Sequence, residues 1–365
     1  MMKVSSKHST SPVPLNNKSL AQLADNIKQW GLEMGFDAVG ITDGELREHD
    51  RHLNAWIEKG MHGEMGYMHK HGRKRTNPSE LVEGTQRVIS VRMDYAPADI
   101  RQSEDVLEQS AIGYISRYAL GRDYHKVLRS RLKKLAERVR QEVGDFGYRV
   151  FTDSAPVMEK ALAEKAGLGW IGKHSNLLDS KTGSWFFLGE IYIDLPLPID
   201  TQATNHCGTC HKCIDICPTQ AIVGPYQVDA RLCISYLTIE LKGPIPVPLR
   251  SKMGNRIYGC DDCQFVCPWN KFAQTTKEPD FTPRAQLTDR SLLELFSWTE
   301  ETFLKNTEGT AIRRIGYESW LRNIAVALGN AESTVDIIAA LKEKSVSASP
   351  LLKDHINWAL DQHTP

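Results

Sequence analysis

The sequence predicts an α/β (α+β) domain, then a compact two-cluster cysteine module, then an all-α cap. Three observations carry that reading. Amphipathic helical stretches alternate with short apolar strand stretches up to about residue 200. All eight cysteines fall between 207 and 267, and beyond about residue 281 only helical periodicity is left. The expected boundaries are a disordered lead-in over 1–17, the α/β domain over 18–200, the cysteine module over 201–275 and the helical cap over 281–365.

Composition removes several classes. Lys+Arg and Asp+Glu balance at 45 each, so no global positive field announces a polyanion ligand, although a binding face can still be local. The first 20 residues lack an apolar signal core, and no run of about 18 apolar residues suggests a membrane span. A cytoplasmic, reducing setting follows as the expectation, one in which cysteines serve metals or catalysis more than disulfides. No heptad pattern points to a coiled coil, and a monomer is expected.

The elements follow in order. Leu20, Leu23, Ile27, Trp30 and Met34 recur at helical spacing, and "DAVGIT" after them reads as a short strand. "HLNAWIEKG" reads as a helix and "RVISVRM" as a strand. Residues 123–143 form a long amphipathic pattern with Leu128, Leu132, Leu135 and Val139 on one face; the Arg and Lys residues opposite read first as a solvated face. "YRVFT" and "WFFLGEIYID" read as strands, the second apolar enough to be central.

Between those two strands lies "AGLGWIGKHS", residues 166–175. Gly167, Gly169 and Gly172 satisfy G-x-G-x-x-G, and Gly167 to Lys173 match G-x-x-x-x-G-K. Either phosphate motif needs a strand before it and a helix starting inside it. Here an Ala-, Glu-, Lys- and Leu-rich stretch precedes the glycines and reads as a helix stopping at Gly167 or Gly169. The glycines therefore read as a helix stop and turn rather than a nucleotide fingerprint.

The cysteines carry the strongest signal. "CGTCHKCIDICP" places Cys207, Cys210, Cys213 and Cys217 as C-x2-C-x2-C-x3-C-P, the bacterial-ferredoxin run in which the fourth cysteine serves the other cluster. "CDDCQFVCP" adds Cys260, Cys263 and Cys267, and Cys233 completes the count. One 4Fe–4S cluster is expected on Cys207, Cys210, Cys213 and Cys267, the other on Cys217, Cys233, Cys260 and Cys263. A zinc ribbon favours two separated ligand pairs, and disulfides do not suit the compartment. His206 and His211 are expected beside the clusters, not on them.

"KFAQTTKEPDFTP" reads as a polar linker, and "SLLELF", "TEETFLKN", "SWLRNIAVALGN", "TVDIIAALKEK" and "LLKDHINWAL" as helices. "LRNIAVALGN" with the helix after it resembles one unit of a HEAT-type repeat, which makes the cap HEAT-like; a single unit does not establish a solenoid.

Residue spacing alone stops at an iron–sulfur oxidoreductase with an unnamed second centre. Resemblance goes further. "GMHGEMGYM" (60–68), "SRYALGRDYHKVLR" (116–129), "FTDSAPVMEKALAEKAGLGWIGKHSNLL" (151–178), the cysteine runs, "CPWN" (267–270) and "LRNIAVALGN" (321–330) occur in this order. Together they resemble the epoxyqueuosine reductase family over nearly the full chain from about residue 20. The resemblance implies a cobalamin-binding N-terminal domain and an enzyme that reduces epoxyqueuosine, at the wobble position of a tRNA anticodon loop, to queuosine. Electrons would come from an external donor through two 4Fe–4S clusters.

It also implies roles. Asp153 is the expected proton donor, although "TDSAP" by itself reads as a helix cap. Acting as an acid at pH 7 would require its pKa to be raised by burial. Asp153, Gly172, Lys173, Ser175, Asn176 and Tyr118 are the expected cobalamin contacts. Gly60, Gly63 and Gly66 are expected to form a flexible loop near substrate, and Arg122, Asp123, Tyr124 and His125 to lie near the pocket. Arg250, Lys252, Arg256, Arg313, Arg314 and Arg322 are the candidate tRNA contacts. Two alternatives stay open: a dehalogenase-like cobalamin reductase of a small molecule, and a ferredoxin-like electron-transfer protein with no chemistry of its own.

Overall fold

A computed structural model describes residues 17–98 and 101–364. The expected lead-in, apart from Asn17, lies outside the described residues. The N-terminal part is built on a four-stranded sheet in the order Ala38–Thr42, Arg87–Asp94, Phe186–Ile193, Tyr148–Phe151. All three pairings are antiparallel. Of the two terms in the expected class, α+β is therefore the one that describes the strand directions. The Phe186–Ile193 strand is central, buried at all eight positions, as its apolar run suggested.

Alternation along the strands divides the core. Ile89, Val91, Met93, Phe187, Ile191 and Ile193 face the helices Asn17–Glu33 and Tyr124–Val143, which bury Leu20, Leu23, Ile27, Leu128, Leu132, Leu135 and Val139 against them. The opposite face is covered by the short helix Glu159–Lys165. Val88, Phe151 and Tyr192 pack there with Ala161 and Leu162, and Phe186 and Leu188 with Ala163.

That short helix ends where the sequence predicted. Gly167 has φ +78°, and a Cβ on Gly169 would lie 2.2 Å from the Leu178 carbonyl oxygen. The chain then forms a hairpin, Trp170–Ile171 against Leu177–Leu178. No helix opens inside the glycine run, so the phosphate-motif readings fall.

The cysteine segment lies against this body, and the C-terminal helices do not form a separate core. Ile115, Leu120, Ile257 and Tyr258 share one hydrophobic cluster with Leu295, Phe303, Trp320, Ile324 and Ile356. The strand Arg256–Tyr258 pairs in parallel with Tyr114–Ile115. Helix Tyr317–Gly329 lies at the centre of the cap, packed against Pro350–Gln362. Ser291, Thr299, Thr334 and Ser349 cap helices through their side-chain oxygens, each accepting the N–H three residues on. The "polar linker" is tied down: Phe281 is buried, and Glu278 pairs with Arg131 of the long helix.

Candidate active site

A cavity of about 1060 Å³ opens between the sheet, the 52–75 region and the cysteine segment. Asp153 lines it. The residue sits at the exit of the Tyr148–Phe151 strand with φ +53°, a left-handed conformation that costs a non-glycine residue energy. It does not cap the following helix, whose N-cap is Met158 without a side-chain bond. The cap reading of "TDSAP" therefore falls.

Several contacts hold this turn. Tyr124 donates its hydroxyl to Asp153 Oδ2 at 2.6 Å, and His125 Nε2 lies 3.1 Å from the same oxygen. The Asp153 N–H donates to Glu159 Oε1 at 2.6 Å, and Arg129 donates to Ser154 Oγ at 2.8 Å. His125 Nδ1 faces Asp123 Oδ1 at 2.7 Å, and Arg314 reaches both Asp123 Oδ2 and His125 Nε2 at 3.1 Å. Tyr124 stacks between His125 and Phe187, which fixes its ring.

The electrostatics depart from expectation. Burial pushes the Asp153 carboxyl up, but hydrogen bonds from His125 and Tyr124, with the His125 and Arg314 charges, outweigh it and hold the group below its usual range. Burial pushes His125 down, and its bonds to Asp123 and Asp153 more than reverse that, raising it above 6.5. The expected elevation of Asp153 is thus corrected: the group raised in this cluster is His125, beside it.

The cysteine thiols act on one another's ionisation. Burial, then Cys267, Cys207 and Cys210, push the Cys213 thiol up to about 11. Burial raises Cys263, with Cys233 the nearest thiol influence, and Cys233 in turn feels Cys217; Cys260 feels Cys263. Cys263 also feels Cys213, from the other expected set. Among the described residues no three His, Cys, Asp or Glu converge as ligands of a single metal ion. Eight free thiols in one segment are the number that two cuboidal clusters need. Tyr226, Gln227 and Val228, from the segment between Cys217 and Cys233, line the cavity, and cavity-lining Lys160 feels Cys263. His206 is exposed beside Trp170, and His211 pairs with Asp215.

The remaining expected contacts divide. Ser175 lines the cavity with Asp153, whereas Gly172, Lys173, Asn176 and Tyr118 are not on its wall. Lys173 donates to the Gly208 and Cys210 carbonyls at 2.7 and 2.8 Å, strapping the hairpin to the first cysteine run. Tyr118 packs on Tyr124, Phe187 and Tyr258. The 60–68 loop does reach the cavity, through Met61, Tyr67 and Met68, but it is packed: a Cβ on Gly63 would lie 2.4 Å from the Tyr236 hydroxyl. Sequence reasoning passed over Glu159, Lys160, Trp56 and Arg75 on the wall.

The expected tRNA arginines also divide. Arg322 is fully buried, donating to the carbonyls of Leu237, Leu241 and Gly243; these include free carbonyls at the end of the Ile234–Ile239 helix. Arg250 is buried on Ile245 and Asp354, and Arg256 is paired with Asp262. These three are internal struts, a correction with a plain cause: each satisfies acceptors that would otherwise be stranded. Lys252 is exposed away from the cavity wall. Arg313 and Arg314 are exposed, and with Arg122, Lys126 and Arg284 they line a second cleft of about 420 Å³ that shares Asp123 and Arg314 with the catalytic cluster.

Comparisons with known proteins agree with this arrangement. Residues 75–154 match the family model described as epoxyqueuosine reductase QueG, DUF1730, and residues 206–270 match a 4Fe-4S double cluster binding domain. An epoxyqueuosine reductase of Pseudomonas aeruginosa is 59% identical over 94% of this chain and 95% of its own length. One of Escherichia coli is 58% identical over 94% and 90%. A crystal structure of epoxyqueuosine reductase with an epoxyqueuosine-modified tRNA-Tyr stem loop superposes with TM-score 0.87 at 27% identity, covering 95% of this chain and 91% of that one. A Bacillus subtilis epoxyqueuosine reductase, with its catalytic loop swung out of the active site, gives TM-score 0.83 at 26% identity over 95% and 91%.

Proposed function

This chain belongs to the epoxyqueuosine reductase family, and from that premise we propose that it reduces the epoxide of epoxyqueuosine in a tRNA anticodon loop to the alkene of queuosine. The conversion consumes two electrons and two protons and releases one water. The observation that carries the reading is a cavity lined by Asp153, His125 and Arg314 and by residues 225–228 of the cysteine segment.

Cobalamin fits this cavity by the chemistry of its wall. Trp56, Met61, Met68 and Met158 supply apolar surface for a flat macrocycle, and Ser175, Gln202, Asn205 and Gln227 supply amide and hydroxyl partners for carboxamide arms. When bound, the cofactor supplies a reduced, nucleophilic cobalt for attack on the epoxide carbon. The protein's own residues do the rest. Asp153 passes to the departing oxygen a proton that it first takes from His125, 3.1 Å away and anchored by Asp123. Tyr124 keeps Oδ2 oriented during the exchange.

The modified base must be splayed out of its loop to reach the cavity. The arginine- and lysine-lined cleft beside Arg314 suits the flanking phosphates, because Lys126 and Arg313 have no side-chain partner among the described residues. The C-terminal helices read as one HEAT-type unit, and the chain as a cytoplasmic monomer fed by an external electron donor. Among the described residues no helix is long and apolar enough to cross a membrane.

The test uses anaerobically reconstituted protein, cobalamin, a strong reductant and tRNA bearing epoxyqueuosine, with nucleosides followed by mass spectrometry. Loss of one oxygen is expected, and Asp153→Asn should lower the rate by about 10²–10⁴-fold while leaving corrinoid binding intact. No conversion with intact clusters and bound corrinoid would overturn the proposal.

A further inference from the structure

Glu190 is the most unusual buried side chain outside the reaction steps described above. It lies in the central strand opposite Ser90 on one side and Phe151 on the other, the last pairing before the chain leaves the sheet for Asp153. Its exposure is 0%, and neither carboxyl oxygen, nor the Ser90 hydroxyl beside it, has a hydrogen-bond partner of good geometry among the described residues. A carboxylate cannot be kept ionised there without a partner, whereas a neutral carboxylic acid can. After burial, the influence that most opposes its ionisation is the Glu159 carboxyl, which in turn feels Glu190. Glu159 opens the helix that covers this face of the sheet, and its Oε1 accepts the Asp153 N–H at 2.6 Å.

We propose that Glu190 and Glu159 share one proton, and that this carboxyl pair is the positioning device for the catalytic Asp153 turn. The inference rests on the reductase reading for the role of Asp153, but not for the state of the pair. With one proton shared, Glu190 donates to one oxygen of Glu159 and the other oxygen is aimed at the Asp153 N–H. The backbone of Asp153 is left-handed and needs that clamp, since an aspartate relaxes readily to extended backbone. With both carboxyls ionised, their repulsion drives Glu159 toward the cavity that it lines and the clamp opens.

The charged and titratable groups around the pair are consistent with one proton. Asp153 faces both carboxyls and disfavours a second charge. His125 from the long helix and Lys160 from the same short helix face Glu159 and favour the first, while Lys160 is committed to the Ser175 carbonyl. The Tyr192 phenol lies near both, and its own ionisation is suppressed. Burial and then Asp153 push Glu159 up to about 7, and burial and then Glu159 push Glu190 well above its usual range.

The experiment compares the full reconstituted chain with Glu190→Gln, Glu190→Leu and Glu159→Gln. Infrared spectra of the ligand-free protein at neutral pH should show a protonated-carboxyl band that Glu190→Gln removes; its absence from the wild type would overturn the proposal whatever the substrate is. In single-turnover reduction of an epoxyqueuosine-bearing stem loop, Glu190→Gln, which keeps a neutral donor, should retain the rate and lose the alkaline decline. Glu190→Leu should lose about 10²-fold in rate with RNA affinity unchanged, as expected for a displaced catalytic group. Wild-type turnover in Glu190→Leu, or equal losses in the Gln and Leu variants, would overturn it. If Glu190→Leu does not fold, the isosteric Gln variant and the band decide. If no chain, the wild type included, acts on RNA, the reductase reading fails while the band still judges the pair.

Discussion

At the residue scale, Asp153 is held below its usual range while His125 beside it is raised. The cause is the count of donors: Tyr124 and His125 both point at one Asp153 oxygen, and a carboxylate with two donors stays ionised even when partly buried. The sign of the pH effect follows. A raised His125 contributes stability that is complete below about 6.5 and is lost as pH rises through its higher folded value. The unfolding free energy of the wild type relative to His125→Asn should therefore shrink as pH rises across that window. Denaturant titrations at several pH values check this, and a difference that stays flat or grows with pH would contradict the assignment.

At the element scale, helix Tyr317–Gly329 is held to the cysteine segment by polar bonds as well as by its apolar face. Arg322 ties it to three carbonyls, and Asn323 donates to the Thr238 and Ile257 carbonyls at 2.9 Å. Truncation strands acceptors in a site with no water. Arg322→Met is expected to cost about 3 kcal/mol or more, while Arg313→Ala, in solvent, should stay within about 0.5 kcal/mol of wild type. Thermal unfolding of both variants checks the contrast; equal shifts would mean that the buried arginine is not the strut described. The same contrast explains why charge in this segment was a poor guide to RNA contacts. An arginine satisfying helix-end carbonyls and one facing solvent have the same letter in the sequence.

At the scale of the whole molecule, the three segments meet around one cavity. The sheet presents Asp153, the cysteine segment brings Tyr226, Gln227 and Val228 to the wall, and the cap contributes Arg314 beside His125. Arg314 belongs at once to that cluster and to the basic cleft. If the cleft holds phosphate, Arg313→Ala should weaken binding of an anticodon stem loop uniformly across sequences. It should also reduce the slope of log affinity against log salt by about one. Filter binding over a salt series measures both, and an unchanged slope would remove Arg313 from the interface.

The sequence by itself determined the features with a strong local rule. Eight cysteines at cluster spacing, helices with 3.6-residue periodicity, a central strand buried throughout, and glycines that stop a helix were all legible, because each is set by near neighbours in the chain. His125 and Asp123 stood in a cluster the sequence had marked, but their link to Asp153 spans nearly 30 residues and was not visible. Glu159 and Glu190 carried no mark in the sequence beyond lying in a helical stretch and in the central strand. Only the tertiary structure decided that the last pairing of one strand buries Glu190 beneath the Asp153 turn, that Lys173 straps a hairpin to a cluster loop, and that three arginines are struts. The reason is physical: a charged side chain takes its role from its burial and from the acceptors that folding leaves beside it, and neither is written in local spacing.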